Sequence, residues 1–382
     1  MANDLTNIMA KILAAGLMTL REQCVMPRMV NGDYSAEAAQ KGATIDVPIP
    51  TATTTKDVVP SVTKDAPTNN TPSLVQIQLD NWKQADFFMS DKDMVQVDKN
   101  KHFLPMQAAE AIRALANDVN ASIHDNYKGV YGFAGIAGTT PFATTVVGAT
   151  DARKVLNKQL CPRSTRRGVL DFDAEANALA LAPFADADKT MSSDVKIEGE
   201  IGRKYGIDWA TDDVVPTHVA GTLQPQGGIA DAAIVGANSV GIASASAVGN
   251  LNHGDIITFA GDTQTYAVGA TVSAIASAAS KAVTITPPLK AALTGGEVVS
   301  VKPSHVVNIV FHRDAYAFAN RPLVQSTQDM QLGSKIMSMT DPKTGISLRL
   351  EVSRQNKQVV WEFDILWGDG LVRGELATRL AG

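Results

Sequence analysis

Asp171, Asp173 and Glu175 are the side chains of this 382-residue chain that come nearest to a chemical site by type and spacing. Carboxylates set two residues apart can hold a metal ion or divide acid and base work between them. Asp173 and Glu175 also fall where a helix starting near Ala174 would want capping and dipole compensation, and that structural role is the preferred one. Asp91, Asp93 and Asp98 suggest a calcium loop, but no glycine stands at loop position six and no glutamate closes it. The six histidines are scattered. His305 and His312 bracket the apolar run Val306–Phe311, which holds their rings apart in an extended chain, and no two histidines have ligand spacing. Gly129-Val-Tyr-Gly-Phe-Ala-Gly is glycine-rich but follows a helix, whereas a phosphate loop follows a strand and opens a helix. Ser244 and Ser246 lack the flanking glycines of a nucleophile elbow. Arg163, Arg166 and Arg167 form the densest basic cluster, read as a solvated loop before a phosphate contact. Asn69-Asn70-Thr71 and Asn120-Ala121-Ser122 match the glycosylation pattern by chance, the second in mid-helix. No catalytic, cofactor-binding or metal-binding residue is assigned.

Composition narrows the function classes. The net charge is −5, with 45% apolar and 19% charged residues. A main surface that grips nucleic acid would want a basic excess. Cys24 and Cys161 stand far apart and make neither a disulfide scaffold nor a zinc site, so free thiols in a reducing cytoplasm are expected. No run reaches the length of a membrane span. Ile8 to Leu20 is apolar, yet Asp4 replaces a basic leader, Lys11 interrupts the run and no small-x-small cleavage site follows. An amphipathic helix is expected there, with Leu5, Ile8, Ile12 and Leu20 near one face and Asn3 or Asp4 as its cap.

Around these residues the chain divides into readable elements. Met26–Lys41 is a connection with Pro27 and the turn signal Asn31-Gly32. Phe87-Phe88-Met89 reads as a small apolar knot and Ser90–Asp93 as a turn. The spacing of Ile112, Leu115, Val119 and Ile123 predicts a long helix over Phe103–Tyr127, with Pro105 in its first turn and Gly129 and Gly132 at its end. Gly129–Thr150 reads as a loop and Asp151–Leu160 as a helix stopped by Pro162. Gly168–Phe172 is a short buried strand, Ala174–Leu181 a helix and Gly199–Lys204 a turn of helix. Tyr205–Trp209 leads into a strand ending near Val214-Val215-Pro216. Composition shifts near Gly221. From there to Pro303, short apolar runs at Asp255–Phe259, Thr265–Val268 and Ala282–Thr286 predict a small all-β module. Val306–Phe311 is a strand and His312–Ala319 a short helix. Ile346, Leu348, Leu350 and Val352, then Val359, Trp361, Phe363, Ile365 and Trp367, alternate with their neighbours on either side of a tight connection at Arg354–Lys357. This is the strongest hairpin signal in the chain, and its aromatic face is where the long helix should lie.

The stretch Ala43–Trp82 differs in kind. Ile45, Val47 and Ile49, and later Val75, Ile77 and Leu79, have the period of half-buried strands. Between them lies Pro50–Ser73, polar and proline-rich, with Val58, Val59 and Val62 as its large apolar residues. A two-stranded ribbon alone in water is marginal, so this one must lie on its own body or on a neighbouring molecule. Ile45, Val47, Ile49, Val58, Val59, Val62, Val75, Ile77 and Leu79 are the candidate subunit-interface residues.

Three stretches carry a family resemblance. Val306-Val-Asn-Ile-Val-Phe-His-Arg-Asp-Ala-Tyr-Ala-Phe-Ala is similar to the apolar strand and His-Arg-Asp-Ala helix of many phage capsid proteins. Gly199-Glu-Ile-Gly-Arg-Lys-Tyr-Gly-Ile-Asp-Trp-Ala looks like the element those proteins place before a strand of their axial domain. Leu79–Ser90 with Ala108–Ile123 looks like their join of extended loop and spine helix. In its order of elements the chain resembles the tailed-phage major capsid proteins of the Hong Kong 97 fold, above all the coat proteins of Salmonella-type podoviruses, which carry a β-rich insertion domain. His253-Gly-Asp-Ile-Ile-Thr-Phe-Ala-Gly and Val283-Thr-Ile-Thr-Pro resemble strands of that domain.

The resemblance, which covers nearly the whole chain, implies an α+β fold: a long spine helix on an antiparallel sheet, an extended loop, an axial domain and an inserted small β-barrel-like domain. Its parts would be an N-terminal arm at 1–42 and an extended loop at 43–90. A peripheral domain would take 91–150 and 346–382, an axial domain 151–221 and 305–345, and the insertion domain 222–304. The function implied is not enzymatic and needs no cofactor. The subunit would self-assemble through hexamers and pentamers into the icosahedral shell around a double-stranded DNA genome, in the virion, after assembly in the host cytoplasm. Implied partners are other copies of the chain, a scaffolding protein, a portal ring and DNA bound without sequence specificity, with no membrane. The N-terminal helix would add contacts between copies. Two other readings stand beside it: a secreted or surface β-rich binding protein that uses Gly221–Pro303 for recognition, and a hydrolase that uses Asp171 and Asp173.

Overall fold

Two sheets, a closed barrel and a projecting ribbon share this chain in the computed structural model. It describes residues 5–32, 39–51, 53, 55–58, 60, 71–90, 106–185, 201–223, 227–277, 279–323, 334–341 and 345–382, with backbone alone at 5–8, 11, 21–23 and 106. Helices α1 (Leu5–Gln23) and α2 (Met26–Met29) come first, then strands β1 (Thr44–Ile49), β2 (Ser73–Gln78) and β3 (Asn81–Ser90). Helix α3 (Met106–Asp125) tightens into a 3-10 turn at Asn126–Gly129. Next are β4 (Gly132–Gly135), α4 (Val147–Lys158), β5 (Arg166–Leu170), α5 (Phe172–Ala180), α6 (Ala182–Ala185), β6 (Arg203–Lys204), β7 (Ile207–Thr211) and β8 (Thr217–His218). The all-β module holds β9 (Gly228–Ala230), β10 (Ser239–Ser244), β11 (Gly249–Leu251), β12 (Ile256–Phe259), β13 (Tyr266–Val268), β14 (Val272–Ile275), β15 (Lys281–Thr286) and β16 (Val298–Val301). The chain closes with β17 (His305–His312), β18 (Tyr316–Asn320), β19 (Ser334–Thr340), β20 (Ser347–Gln355), β21 (Gln358–Leu371) and β22 (Ala377–Ala381).

The C-terminal hairpin forms as its alternation predicts. β20 and β21 pair antiparallel around Asn356 and Lys357, both at positive φ, the turn geometry that matches strand twist. β3 and β18 line one edge of β21, and β19 lies outside β20. Trp361, Phe363, Ile365 and Trp367 share one buried face of this five-stranded sheet. Against that face lies α3, which buries Ile112, Leu115, Val119 and Ile123. Beside it α1 buries Met9, Leu13, Leu17 and Leu20, and at Gly16 an added Cβ would come within 2.6 Å of Ile112 Cδ1. Each fully buried apolar side chain contributes roughly 1.5–3 kcal/mol. The helical layer is therefore held by packing more than by its own propensity. The described buried face of α1 is spent on its own body.

A second sheet runs β4-β22-β17-β5-β7-β6, with β8 beside the start of β17. Sheet membership crosses the expected domain limits, because β4 and β22 pair with this sheet and β18 with the first. Between β8 and β17 the chain leaves for the all-β module, where β10, β15, β13, β12, β16 and β9 close into a barrel. The barrel has its own apolar core, including Val240, Ile242, Phe259, Tyr266, Val283 and Ile285. The mixed α+β class holds.

Several local expectations are corrected. Residues 81–90 are strand, not an apolar knot: Trp82, Gln84, Asp86 and Phe88 point outward while Ala85, Phe87 and Met89 point inward, a period of two hidden by the adjacent Phe87-Phe88. The glycines of 132–135 belong to a strand, since an added Cβ at Gly132 would meet Ala377 O at 2.8 Å. Arg203–Lys204 pairs with β7 around Tyr205-Gly206, both at positive φ, in place of a turn of helix. His312–Ala319 is helical only at the 3-10 turn Arg313–Ala315; Tyr316 and Phe318 go on into the sheet. The expected cap at Asn3 or Asp4, the helix start at Phe103–Pro105, the Asp91–Asp98 run, Asn69-Asn70, Val59 and Val62 lie outside the described residues.

Candidate assembly interface

The ribbon of β1 and β2 pairs Ile45 with Ile77, Val47 with Val75, and Pro48 with Leu74. Its root is locked by Gly42 N–H donating to Leu79 O and Leu79 N–H donating to Ala43 O. There one face lies on the first sheet. Ile45 and Leu79 pack with Ala319, Leu323 and Leu366, while Val47 and Ile77 pack with Ala317. Gly368 makes the approach possible, because a Cβ there would stand 2.4 Å from Gln78 O.

Burial fades along the ribbon. Leu79 is 0% exposed, Ile77 2%, Ile45 7% and Val47 9%. Ile49 and Val75 are half-buried, Leu74 is 61% exposed and Val58 93%. The described residues from 50 to 60 are exposed and outside regular structure. The described candidates therefore divide by burial. Ile45, Val47, Ile77 and Leu79 are occupied by the chain's own sheet, because alternation turns that whole face inward at the root. Val58 stands free, as does Leu74, which alternation puts on the opposite face and which the period-two reading passed over. That outward face is otherwise polar, with Gln76 Nε2 donating to Asp46 Oδ1 at 2.9 Å.

No protein-family model matches the chain, and no curated protein matches it. Solved structures do resemble it. A structure from Mycobacterium phage Che8 shares 13% identity over 94% of this chain and 90% of that one, with a TM-score of 0.47. The capsid structure of cyanophage P-SCSP1u shares 13% identity, over 90% of this chain and 84% of that one, with a TM-score of 0.43. A virus-like particle from Pyrococcus furiosus shares 9% identity, over 97% of this chain and 98% of that one, with a TM-score of 0.44.

The residues read as possible chemistry take structural positions. Asp171 precedes α5, which starts at Phe172 and places Asp173 and Glu175 in its first turn. The Glu175 carboxyl is pushed up by burial and drawn down by a hydrogen bond with Thr211. Arg166 is not in a solvated loop. It is buried in β5 and donates to Pro162 O, Cys161 O and Asn157 Oδ1. Cys24 and Cys161 are free and buried; burial pushes the Cys24 thiol up to about 12 and so keeps it protonated and inert. Among the described residues no group of three His, Cys, Asp or Glu side chains is placed to hold a metal ion, and no helix is long and apolar enough to cross a membrane.

Two buried histidine–aspartate pairs escaped the sequence reading. His124 Nε2 lies 3.1 Å from Asp212 Oδ2, under α3. His218 Nε2 lies 2.8 Å from Asp255 Oδ1, and the Tyr127 hydroxyl lies 3.0 Å from His218 Nδ1. Hydroxyl, imidazole and carboxylate thus follow the order of a nucleophile, a base and its orienter. All three side chains are buried, so no substrate reaches them. Their effect is to join barrel to body. Asp255 also accepts the Gly221 and Asn252 N–H groups, and Arg379 donates to Gly254 O at 2.7 Å. Thr265 Oγ1 donates to Tyr131 O at 2.7 Å across the same seam.

Proposed function

We propose that this chain is a capsid shell subunit, a major capsid protein of Hong Kong 97 type that self-assembles around the double-stranded DNA of a tailed phage. The observation that carries the reading is the burial gradient of the ribbon: a root built into its own sheet and an outer half that is exposed among the described residues. Such an element is completed by another surface. In a shell that surface is the neighbouring copy. The long helix on an antiparallel sheet and the barrel inserted between β8 and β17 are the parts expected of such a subunit. Its parts would work as an N-terminal segment 1–42, an extended loop 43–90, peripheral and axial regions, and an insertion domain 222–304. Each contact can be weak, because many neighbours act together and misplaced copies can leave. An acidic wall keeps from trapping a polyanionic genome. A scaffolding protein, a portal ring and DNA held without sequence specificity complete the set of partners.

Deletion of Val58–Thr71 tests the reading, with negative-stain microscopy and sedimentation as readouts. The full chain is expected to form uniform closed shells, and the deleted chain to stay folded and soluble without forming them. Closed shells of normal size and strength from the deleted chain would remove the role given to the ribbon. A full chain that stays monomeric under all assembly conditions would remove the shell reading itself.

A further inference from the structure

Among the described residues two charged patches are only partly paired within the chain. One lies on the open face of the five-stranded sheet, opposite α1 and α3. Register sets Asp86 against Glu362 and Glu362 against Glu351, so three carboxylates form one row across β3, β21 and β20. In the next row Arg349 Nε donates to Asp364 Oδ1 at 2.8 Å, and Arg349 also lies 3.8 Å from Glu351. Four carboxylates share one guanidinium, and like charges directly opposite one another destabilise a sheet. Burial pushes the Glu362 carboxyl up, and Glu351, Asp86 and Asp364 add to that. Exposed Trp82 and Phe88 flank the row.

The other patch is a cleft of about 460 Å³ between body and barrel, to which the body gives Lys154, Lys158 and Gln159 and the barrel gives Gln264 and Lys290. Lys154 is paired with Asp151 at 2.8 Å. Among the described residues no carboxylate pairs with Lys158 or Lys290. A further ammonium, Lys302, stands 5.7 Å from the ring centre of Phe133, which lines the same cleft.

The row and the cleft lie far apart in one molecule. Leu371, at the end of β21, packs on Gly129 at the barrel end of α3. Glu362 precedes Leu371 by nine residues of strand, roughly 30 Å at a rise of about 3.3 Å per residue. We infer that the Asp86–Glu362–Glu351 row of one copy seats on the lysine-lined cleft of a second copy. The contact joins two different patches, so it repeats from subunit to subunit in the manner that builds rings and shells. It rests on the self-assembly reading above. Complementary charge of this kind sets register and speeds encounter.

Charge reversal tests it in the full chain, with association followed by light scattering and sedimentation. Lys158→Glu with Lys290→Glu, or Asp86→Lys with Glu362→Lys, is expected to weaken association at least about tenfold. Mixing the two reversed chains, or combining all four substitutions in one, is expected to restore it. Circular dichroism checks the fold, and Lys158→Gln with Lys290→Gln, or Asp86→Asn with Glu362→Gln, replaces any variant that does not fold, with the same loss expected. Association of the unmodified chain is expected to fall between about 0.05 and about 0.5 M salt. Reversals that leave association unchanged, or losses that neither combination rescues, overturn this contact alone. Inorganic phosphate binding that needs Lys158 and Lys290, with association unmoved by their reversal, assigns the cleft to a free anion and likewise overturns it. An unmodified chain that never associates removes the shell reading with it.

Discussion

The barrel and the ribbon are both excursions from the same body, and they solve the same problem in opposite ways. Each leaves and returns through adjacent antiparallel strands: the barrel through His218 opposite His305, the ribbon through Ala43 beside Leu79. The barrel closes its hydrogen-bond ladder, which removes its edges, and encloses an apolar core of its own. Among the described residues the ribbon keeps two open edges and one apolar face, and its burial fades from Leu79 to Leu74 and Val58. A closed excursion brings its stability with it. An open one must find stability on another surface, and that requirement is what supports the proposed role of the ribbon in assembly.

The sharpest way to break this contrast is to remove the body. A fragment spanning 221–303 is expected to unfold cooperatively, while a peptide spanning 43–80 shows no ordered ribbon; circular dichroism and amide dispersion in NMR spectra decide both. A disordered barrel fragment would mean that its core depends on the seam with Tyr131 and Phe133. Within the full chain, Phe259→Ala should cost about 3–5 kcal/mol in the denaturant transition of the barrel, the usual range for emptying a packed aromatic site. A much smaller loss would show a barrel that tolerates voids and is less self-contained than its closure suggests.

Both excursions were legible in the sequence as regions, and their attachments were not. Alternation along 346–367 marked the hairpin, apolar spacing from Ile112 to Ile123 marked the helix, and the fall in charge near Gly221 marked the barrel. Each of these signals is local. β3 was hidden because Phe87 and Phe88 are adjacent yet face opposite ways. The joint of barrel and body was invisible because Tyr127, His218 and Asp255 meet through register set by β8 and β17. The alternation of Ile45, Val47, Ile77 and Leu79 announced a buried face but could not say what buried it, since Ala317, Ala319 and Leu366 lie over 200 residues away.

The joint should make the stability of the chain dependent on pH. His305 lies between His218 and Phe133, with Arg379 and Asp255 close by. Burial pulls its imidazole down to about 4, helped by Arg379 and His218 and opposed by Asp255 and the bond to Pro303 O. Between the ordinary value near 6.5 and the folded one near 4 the unfolded chain binds the extra proton. The stabilising effect is therefore complete above about 6.5 and is lost as pH falls toward 4, on the order of 3 kcal/mol in all. Denaturant titrations at pH 7 and 4.5 should show that loss in the parent chain and a smaller one in His305→Phe. Equal losses would mean that this seam is wet and that His305 titrates freely.

The smallest effect on the isolated subunit should come from Leu74→Asp, and it bears most directly on the ribbon. Leu74 faces outward beside Pro48, is 61% exposed and belongs to no apolar cluster among the described residues. An exposed substitution of this kind changes stability by no more than about 0.5 kcal/mol. Ile77, three residues on and 2% exposed, should cost about 2–5 kcal/mol when truncated to alanine. The two changes separate folding from assembly. Ile77→Ala weakens the subunit, whereas Leu74→Asp leaves its denaturant midpoint in place and slows or abolishes shell growth followed by light scattering. If Leu74→Asp instead lowered the midpoint as much as Ile77→Ala, the outer face of the ribbon would be covered by its own chain. The ribbon would then be closed like the barrel, and a neighbouring copy would have nothing left to complete.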